Sequence, residues 1–309
     1  MQSTLVLLPD FALIALGALV ARLVTEDVWR GLDRLSYLVL YPALIFAAAS
    51  ARAVDPRAVL AVGGAAAGVL TAGLLLGLAT RRLGPARDVD FGGALQVAYR
   101  FNTALGFVAI GALPPAAASA LAIAVGCGIP LANAYAVAGL ARGTGLAPAR
   151  VLREIATNPF LLASLAGLAV AVSGTALPGP AAALVGRLAD AALPLVLLSL
   201  GAALAAGAAR AGARSLLPGS AFALALHGIR LLALPALVWG IATLAGLRGV
   251  PAATLLVFAA LPTATAAHVL GARYGADREA VAALVLQSSL LGLATLPAWV
   301  ALAVRLAGG

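Results

Sequence analysis

The sequence predicts an all-α polytopic membrane protein of ten transmembrane helices, arranged as two inverted five-helix repeats. Three observations lead there. Of the 309 residues, 63% are hydrophobic and 10% are charged, and the mean hydropathy is +1.07. Soluble domains are roughly 45–50% apolar and about 25% charged, so a soluble enzyme or binding module is excluded. The apolar residues fall into ten runs, and the arginines between the runs sort to one side.

A helix crosses about 30 Å of hydrocarbon with roughly 20 apolar residues. Ten such helices occupy about two thirds of the chain, and short connections leave no room for a separate soluble domain. The first run, 4–22, is not preceded by the basic stretch that opens a secretory signal and is expected to be retained. The second, 35–50, carries Pro42, and the third, 58–80, ends at Arg81-Arg82. The fourth, 91–112, has a polar interruption, while the fifth, 116–140, contains Gly128-Ile129-Pro130-Leu131. A connection at 141–156 separates the repeats, 1–140 and 157–309. The second repeat holds runs at 157–174, 189–209, 218–245, 252–272 and 279–305.

All 20 basic residues are arginine. With the N-terminus outside, 13 arginines lie in inside connections and five outside, which by the positive-inside rule places both termini outside. The net charge of +9 and pI of about 11.1 are thus a topology code, dispersed rather than gathered into a nucleic-acid-binding patch. Arg34-Leu35 with Pro42 echoes Arg187-Leu188 with Pro194, and Pro130 echoes Pro297, at offsets of 152 and 167 residues. Five is odd, so the repeats enter the membrane in opposite senses, a recurring transporter architecture.

Function is expected where polar groups enter the membrane. The fourth run reads Gln96-Val97-Ala98-Tyr99-Arg100-Phe101-Asn102-Thr103, and the ninth Leu261-Pro262-Thr263-Ala264-Thr265-Ala266-Ala267-His268. Pro262 removes a backbone donor and clashes with the preceding turn, which predicts a break. Broken helices at membrane depth line cavities or lie buried in protein, and a half-helix N-terminus suits a carboxylate.

An Arg at a helix centre costs about 2.5–3.5 kcal/mol on insertion scales. Arg100 therefore either attracts a substrate anion, or hydrogen-bonds carbonyls of its own broken helix or snorkels inward. Asn102, Thr103, Pro262, Thr263 and Thr265 are candidate substrate ligands. His268 is either a pH-responsive ligand or a polar group packed on a neighbouring helix. Asn133, Gln287 and Ser288 are second-tier candidates that also serve as interhelical hydrogen-bond partners. His227 and Arg230 read as a pair snorkelling to the inner interface. Motifs of metalloproteases, P-loop enzymes and serine hydrolases are absent from the sequence. With two histidines and one cysteine, no catalytic residue, metal or cofactor is expected.

The ordered series Tyr99-Arg100-Phe101-Asn102-Thr103, Gly128-Ile129-Pro130-Leu131-Ala132-Asn133, Asn158-Pro159-Phe160-Leu161-Leu162, Leu193-Pro194-Leu195 and Leu198-Ser199-Leu200-Gly201 resembles the auxin efflux carrier family. The resemblance continues through Leu261-Pro262-Thr263-Ala264, Val269-Leu270-Gly271-Ala272-Arg273-Tyr274-Gly275 and Leu296-Pro297. That family includes malate-permease-like bacterial proteins and the plant PIN auxin transporters. The resemblance implies a fold like that of bile acid sodium symporters and NhaA, in which helices 4 and 9 cross as broken helices. It also implies a scaffold of helices 1, 2, 6 and 7 that commonly dimerises, a transport domain of helices 3–5 and 8–10, and Asn102 at a substrate carboxylate. Phe101 stands where plant carriers have Pro, and the short 141–156 connection lacks their long regulatory loop.

The expected function is secondary transport of a small organic anion, auxin-like or a dicarboxylate, across a bacterial inner membrane by elevator-like alternating access. A sodium-coupled symporter of the bile acid type and a non-transporting sensor or scaffold are the alternatives. The partners expected are the anion, the bilayer and a second copy, with no nucleic acid. The topology is checked by single cysteines at Pro115→Cys and Gly145→Cys in a Cys127→Ala background: an impermeant thiol reagent should label 115 and spare 145 from outside, and the reverse pattern rejects it.

Overall fold

The computed structural model describes residues 8–51, 56–140, 156–211, 217–264 and 267–308, together with 149 and 153. Among these residues the regular structure is entirely helical. In chain order the helices are α1 (Leu8–Val20), α2 (Glu26–Ser50), α3 (Pro56–Ala79, followed by a 3-10 turn at Thr80–Leu83), α4 (Asp88–Tyr99), α5 (Thr103–Ile110) and α6 (Ala116–Leu140). They continue as α7 (Pro159–Ser173), α8 (Gly179–Ala211), α9 (Ala221–Leu244), α10 (Val250–Ala260), α11 (Ala267–Arg273) and α12 (Arg278–Ala307). Six of them (α2, α3, α6, α8, α9 and α12) are long and apolar enough to cross a membrane, and α7 and α10 are shorter apolar helices.

The expected runs and the helices agree closely except where charge interrupts a helix. Helix α2 begins nine residues before the apolar run, with Glu26 and Asp27 in its first turn. Helix α8 begins at Gly179, ten residues before the apolar run, with Arg187 inside its early turns; hydropathy alone starts the run after that arginine. Pro130, Pro194 and Pro297 lie inside continuous helices.

Two other prolines follow π-helical turns: Pro42 after Ser36–Leu40, and Pro235 after Ile229–Ala233. A proline deprives the carbonyl four residues earlier of its usual donor. At Pro235 that carbonyl is Leu231 O, and Trp299 Nε1 on α12 donates to it at 2.9 Å.

Packing divides the helices into two groups that also touch each other. In one, α1 and α2 lie against α8, and α7 lies against α2. In the other, α3 packs on α4 and α6, α10 on α6 and α12, and α11 on α4 and α12. Burial is concentrated in α4, α5 and α10, where nearly every residue is buried, polar Gln96, Asn102, Thr103 and Thr254 among them. Large apolar side chains such as Leu19, Leu60, Leu165 and Leu244 stand exposed. Apolar outside and polar inside is the pattern a lipid solvent selects.

Without a hydrophobic drive between helices in lipid, close approach rests on small residues. A Cβ at Gly17 would sit 2.0 Å from Leu198 O, and one at Gly201 would sit 1.9 Å from Ile14 O. Each glycine thus admits the other helix's backbone. Gly201→Val should force α1 and α8 apart at an overpacking cost of about 1–3 kcal/mol, read as a lower melting temperature in detergent; Gly64→Val on α3, where a Cβ meets nothing within 4 Å, is the neutral control.

Candidate functional site

Two helices are interrupted, and the interruptions meet. Helix α4 stops at Tyr99, and Arg100 (φ −69, ψ 155) and Asn102 (φ −88, ψ 106) are extended. Asn102 then caps α5, its Oδ1 accepting from Leu105 N at 3.2 Å. Helix α10 stops at Ala260, and Leu261 is extended (φ −63, ψ 138), as the residue before a proline tends to be. Residues 261–264 are non-helical, and α11 resumes the path at Ala267.

Backbone freed by such breaks must find partners inside the protein. Asn102 N donates to Pro262 O at 2.8 Å, joining one break to the other. Thr263 Oγ1 donates to Val97 O at 2.7 Å, and Thr263 N donates to Ser288 Oγ on α12 at 3.0 Å. Gln96 Nε2 reaches Ala267 O at 3.3 Å, and Arg100 Nη1 donates to Gln96 Oε1 at 3.2 Å. A Cβ at Gly292 would lie 2.5 Å from Pro262 Cβ, so α12 presses directly on the second break. The Phe101 ring, 4.5 Å between centroids from that of Phe258, walls the junction.

The structure therefore brings together Arg100, Asn102, Thr103, Pro262, Thr263 and Ser288. All but Arg100, which is partly buried, are buried. His268 is half-buried on α11, and Asn133 is half-buried on α6 two residues before Tyr135, whose ring meets Tyr99 edge-on at 5.8 Å. Thr265 lies outside the described residues. Gln287, next to Ser288, instead engages His227 Nε2 at 3.0 Å through Oε1. Among the described residues no three His, Cys, Asp or Glu side chains gather where they could hold a metal ion.

Arg230 corrects the sequence reading. It does not snorkel: it is 0% exposed, with Nε donating to Leu261 O at 2.6 Å and Nη2 to Phe258 O at 2.9 Å. The carbonyl of Phe258 is the one that Pro262 leaves without a donor four residues on, and the guanidinium replaces that donor. Its positive charge also meets the negative end of the α10 dipole. Depth in the helix was the available signal. Arg230 lies nine residues into α9, about 13 Å along the axis at 1.5 Å per residue, well inside the helix rather than at its end.

Helices that cross a membrane, with interrupted backbone and polar side chains gathered at the interruption, describe a multi-pass membrane transporter rather than an enzyme. Comparison with known proteins agrees. Residues 146–300 match the family model described as "Membrane transport protein". A protein named "Putative malonate transporter" from Rhizobium meliloti (strain 1021) is 30% identical over 310 residues, covering 95% of this chain and 93% of the relative. An "Uncharacterized transporter" of Methanothermobacter thermautotrophicus is 32% identical over 151 residues, 48% of this chain and 47% of the relative. The chain belongs to the membrane transport protein family, the auxin efflux carrier family its motifs resemble.

Removing the guanidinium should leave the Leu261 and Phe258 carbonyls without their donors. Hydrogen bonds to charged groups contribute about 1.5–3 kcal/mol each, so Arg230→Met should lower the melting temperature in detergent far more than Arg230→Lys, which keeps one donor. Equal melting of Arg230→Met and the unsubstituted protein rejects this role.

Proposed function

We propose that this protein is a secondary transporter for a small organic anion, with malonate or a similar dicarboxylate as the first substrate to test. The observation that carries the reading is the bond from Asn102 N to Pro262 O, which holds two broken helices against each other in a transporter-family chain. Asn102 takes the Leu105 and Gly106 N–H groups of α5, and the earlier first-turn donors at Thr103 and Ala104, with the positive dipole end, offer a carboxylate site beside Asn102 and Thr103. Thr263, the 262–265 backbone and His268 complete the proposed site from the other half. Arg100 lends long-range attraction, with Asn133, Gln287 and Ser288 in support. The full-length relative's name supports malonate as the starting probe.

The architecture proposed for this activity has ten spans in two inverted repeats. The α4/α5 and α10/α11 pairs count as spans four and nine, and both termini lie outside a bacterial inner membrane. In support, α1, α2, α7 and α8 (the first two spans of each half) pack on one another. They would form the dimerising scaffold, against which the remaining helices move as the elevator-like transport domain.

Asn102→Ala tests the site in proteoliposomes. Loss of one hydrogen bond to a charged group costs about 1.5–3 kcal/mol, roughly ten- to a hundredfold in affinity. Malonate uptake should fall by that order while the protein stays folded, since loss of an N-cap alone costs about 1 kcal/mol. Undiminished uptake would refute the assignment. A thermal-shift screen of organic anions on the purified protein then ranks substrates.

A further inference from the structure

A cavity of about 330 Å³ opens between the beginnings of α4, α9 and α12, lined by Asp90, Ser220, Ala223, Asp277, Leu284 and Gln287 among others. Just beyond its lining, one turn past Ala223 on α9, lies His227, 4% exposed. Its hydrogen bonds fix its orientation. The Gln287 amide donates through Nε2 to Leu217 O at 3.2 Å, so Oε1 is the end that meets His227 Nε2, 3.0 Å away. An amide oxygen only accepts, so Nε2 is the nitrogen that carries a hydrogen toward Gln287. Nδ1, the other ring nitrogen, is buried and has no hydrogen-bond partner among the described residues. His227 thus sets a titratable ring one helical turn beyond a cavity bordered by the Asp90 and Asp277 carboxylates.

The surrounding charges agree with that role. The first part of α9 packs on α4 and on the Thr80–Leu83 turn, and α12 supplies Gln287. Arg81 of the turn pairs with Asp88 at 2.8 Å, and Arg87 pairs with Asp90 at 3.4 Å; Arg82 is the turn's other charge. At the start of α12 stand Asp277, which caps the helix, Arg278 and Glu279. On α9 itself Arg230 follows His227 by three residues, on the same face of the helix. Like charges so placed repel, which disfavours a second cation while the neighbouring junction is empty and relaxes once an anion occupies it. Coupling of this kind is reciprocal: the anion favours the proton, and the proton favours the anion.

We propose that His227, positioned by Gln287 beside this cavity, is the proton-binding site through which anion transport is coupled to a proton gradient. The proposal rests on the anion-transport reading above. In each cycle a proton adds to Nδ1 on one side of the membrane, giving an imidazolium, and leaves from the same nitrogen on the other, restoring the neutral ring. Proton and anion travel together.

The test uses the full chain in proteoliposomes with malonate as the probe and the membrane potential clamped. With a gradient of one pH unit, alkaline inside, one-to-one coupling sustains about tenfold accumulation, measured against protein-free vesicles. His227→Gln keeps a donor for Gln287 and takes up no proton. It should retain malonate–malonate exchange and lose the pH-driven accumulation. Accumulation equal to that of the unsubstituted protein overturns the proposal. A check that needs no variant is the lumen pH of dye-loaded vesicles, which should fall with malonate entry; an unchanged lumen pH during malonate entry likewise overturns it. Absence of malonate exchange by the unsubstituted protein overturns the transport reading itself, and this proposal with it.

Discussion

Everything near the junction depends on one constraint: backbone groups released from a helix at membrane depth have no water to satisfy them. The two interruptions solve this for each other. Asn102 N has lost its helical acceptor and Pro262 lies in non-helical backbone, and at 2.8 Å each is the other's partner. Val97 O, freed where α4 ends, is taken by Thr263 Oγ1, and Thr263 N is taken by Ser288 Oγ. Neither break could persist alone. The polar side chains in 96–103 and 261–264 follow from that mutual need as much as from any substrate.

Proline supplies the second theme. At two positions, Pro262 and Pro235, its missing N–H is answered by a side chain from another helix. Arg230 on α9 donates to Phe258 O, four residues before Pro262, and Trp299 on α12 donates to Leu231 O, four residues before Pro235. These long-range donors tie α9, α10 and α12 together through hydrogen bonds that a regular helix would have kept internal. A break in one helix thereby becomes a cross-link among three. The π turn at Ile229–Ala233 contains both Arg230, as donor, and Leu231, as acceptor.

Much of this was legible in the sequence, and the residues show why. Pro262 announced its break because a proline's effect on the local backbone needs no tertiary context. The apolar runs located the helices except where Asp27, Arg34 or Arg187 lay within one, since hydropathy sees charge and not the helix carrying it. Tertiary partnerships were out of reach. Nothing local distinguishes an arginine that snorkels from one that donates to carbonyls 28 and 31 residues away, except depth along the helix. The neighbours Gln287 and Ser288 looked equivalent in sequence. Only the rotation of α12 sends Ser288 to Thr263 and Gln287 to His227.

That rotation also shapes the electrostatics of transport. The described ion pairs, Arg30–Asp27, Arg81–Asp88 and Arg87–Asp90, join residues at the beginnings of α2 and α4 or just before α4. At the junction itself stand Arg100 and Arg230, neither in an ion pair among the described residues. Their charges are met by dipoles instead: the Gln96 amide for Arg100, and the last carbonyls of α10 for Arg230. A dipole offsets part of a buried cation's charge and leaves a net positive field. A carboxylate of the protein would have neutralised that field permanently and made a tightly bound internal pair. Compensation by amides and carbonyls holds the arginines in place and leaves that field uncancelled, which is what the proposed binding and release of an anion at the junction requires.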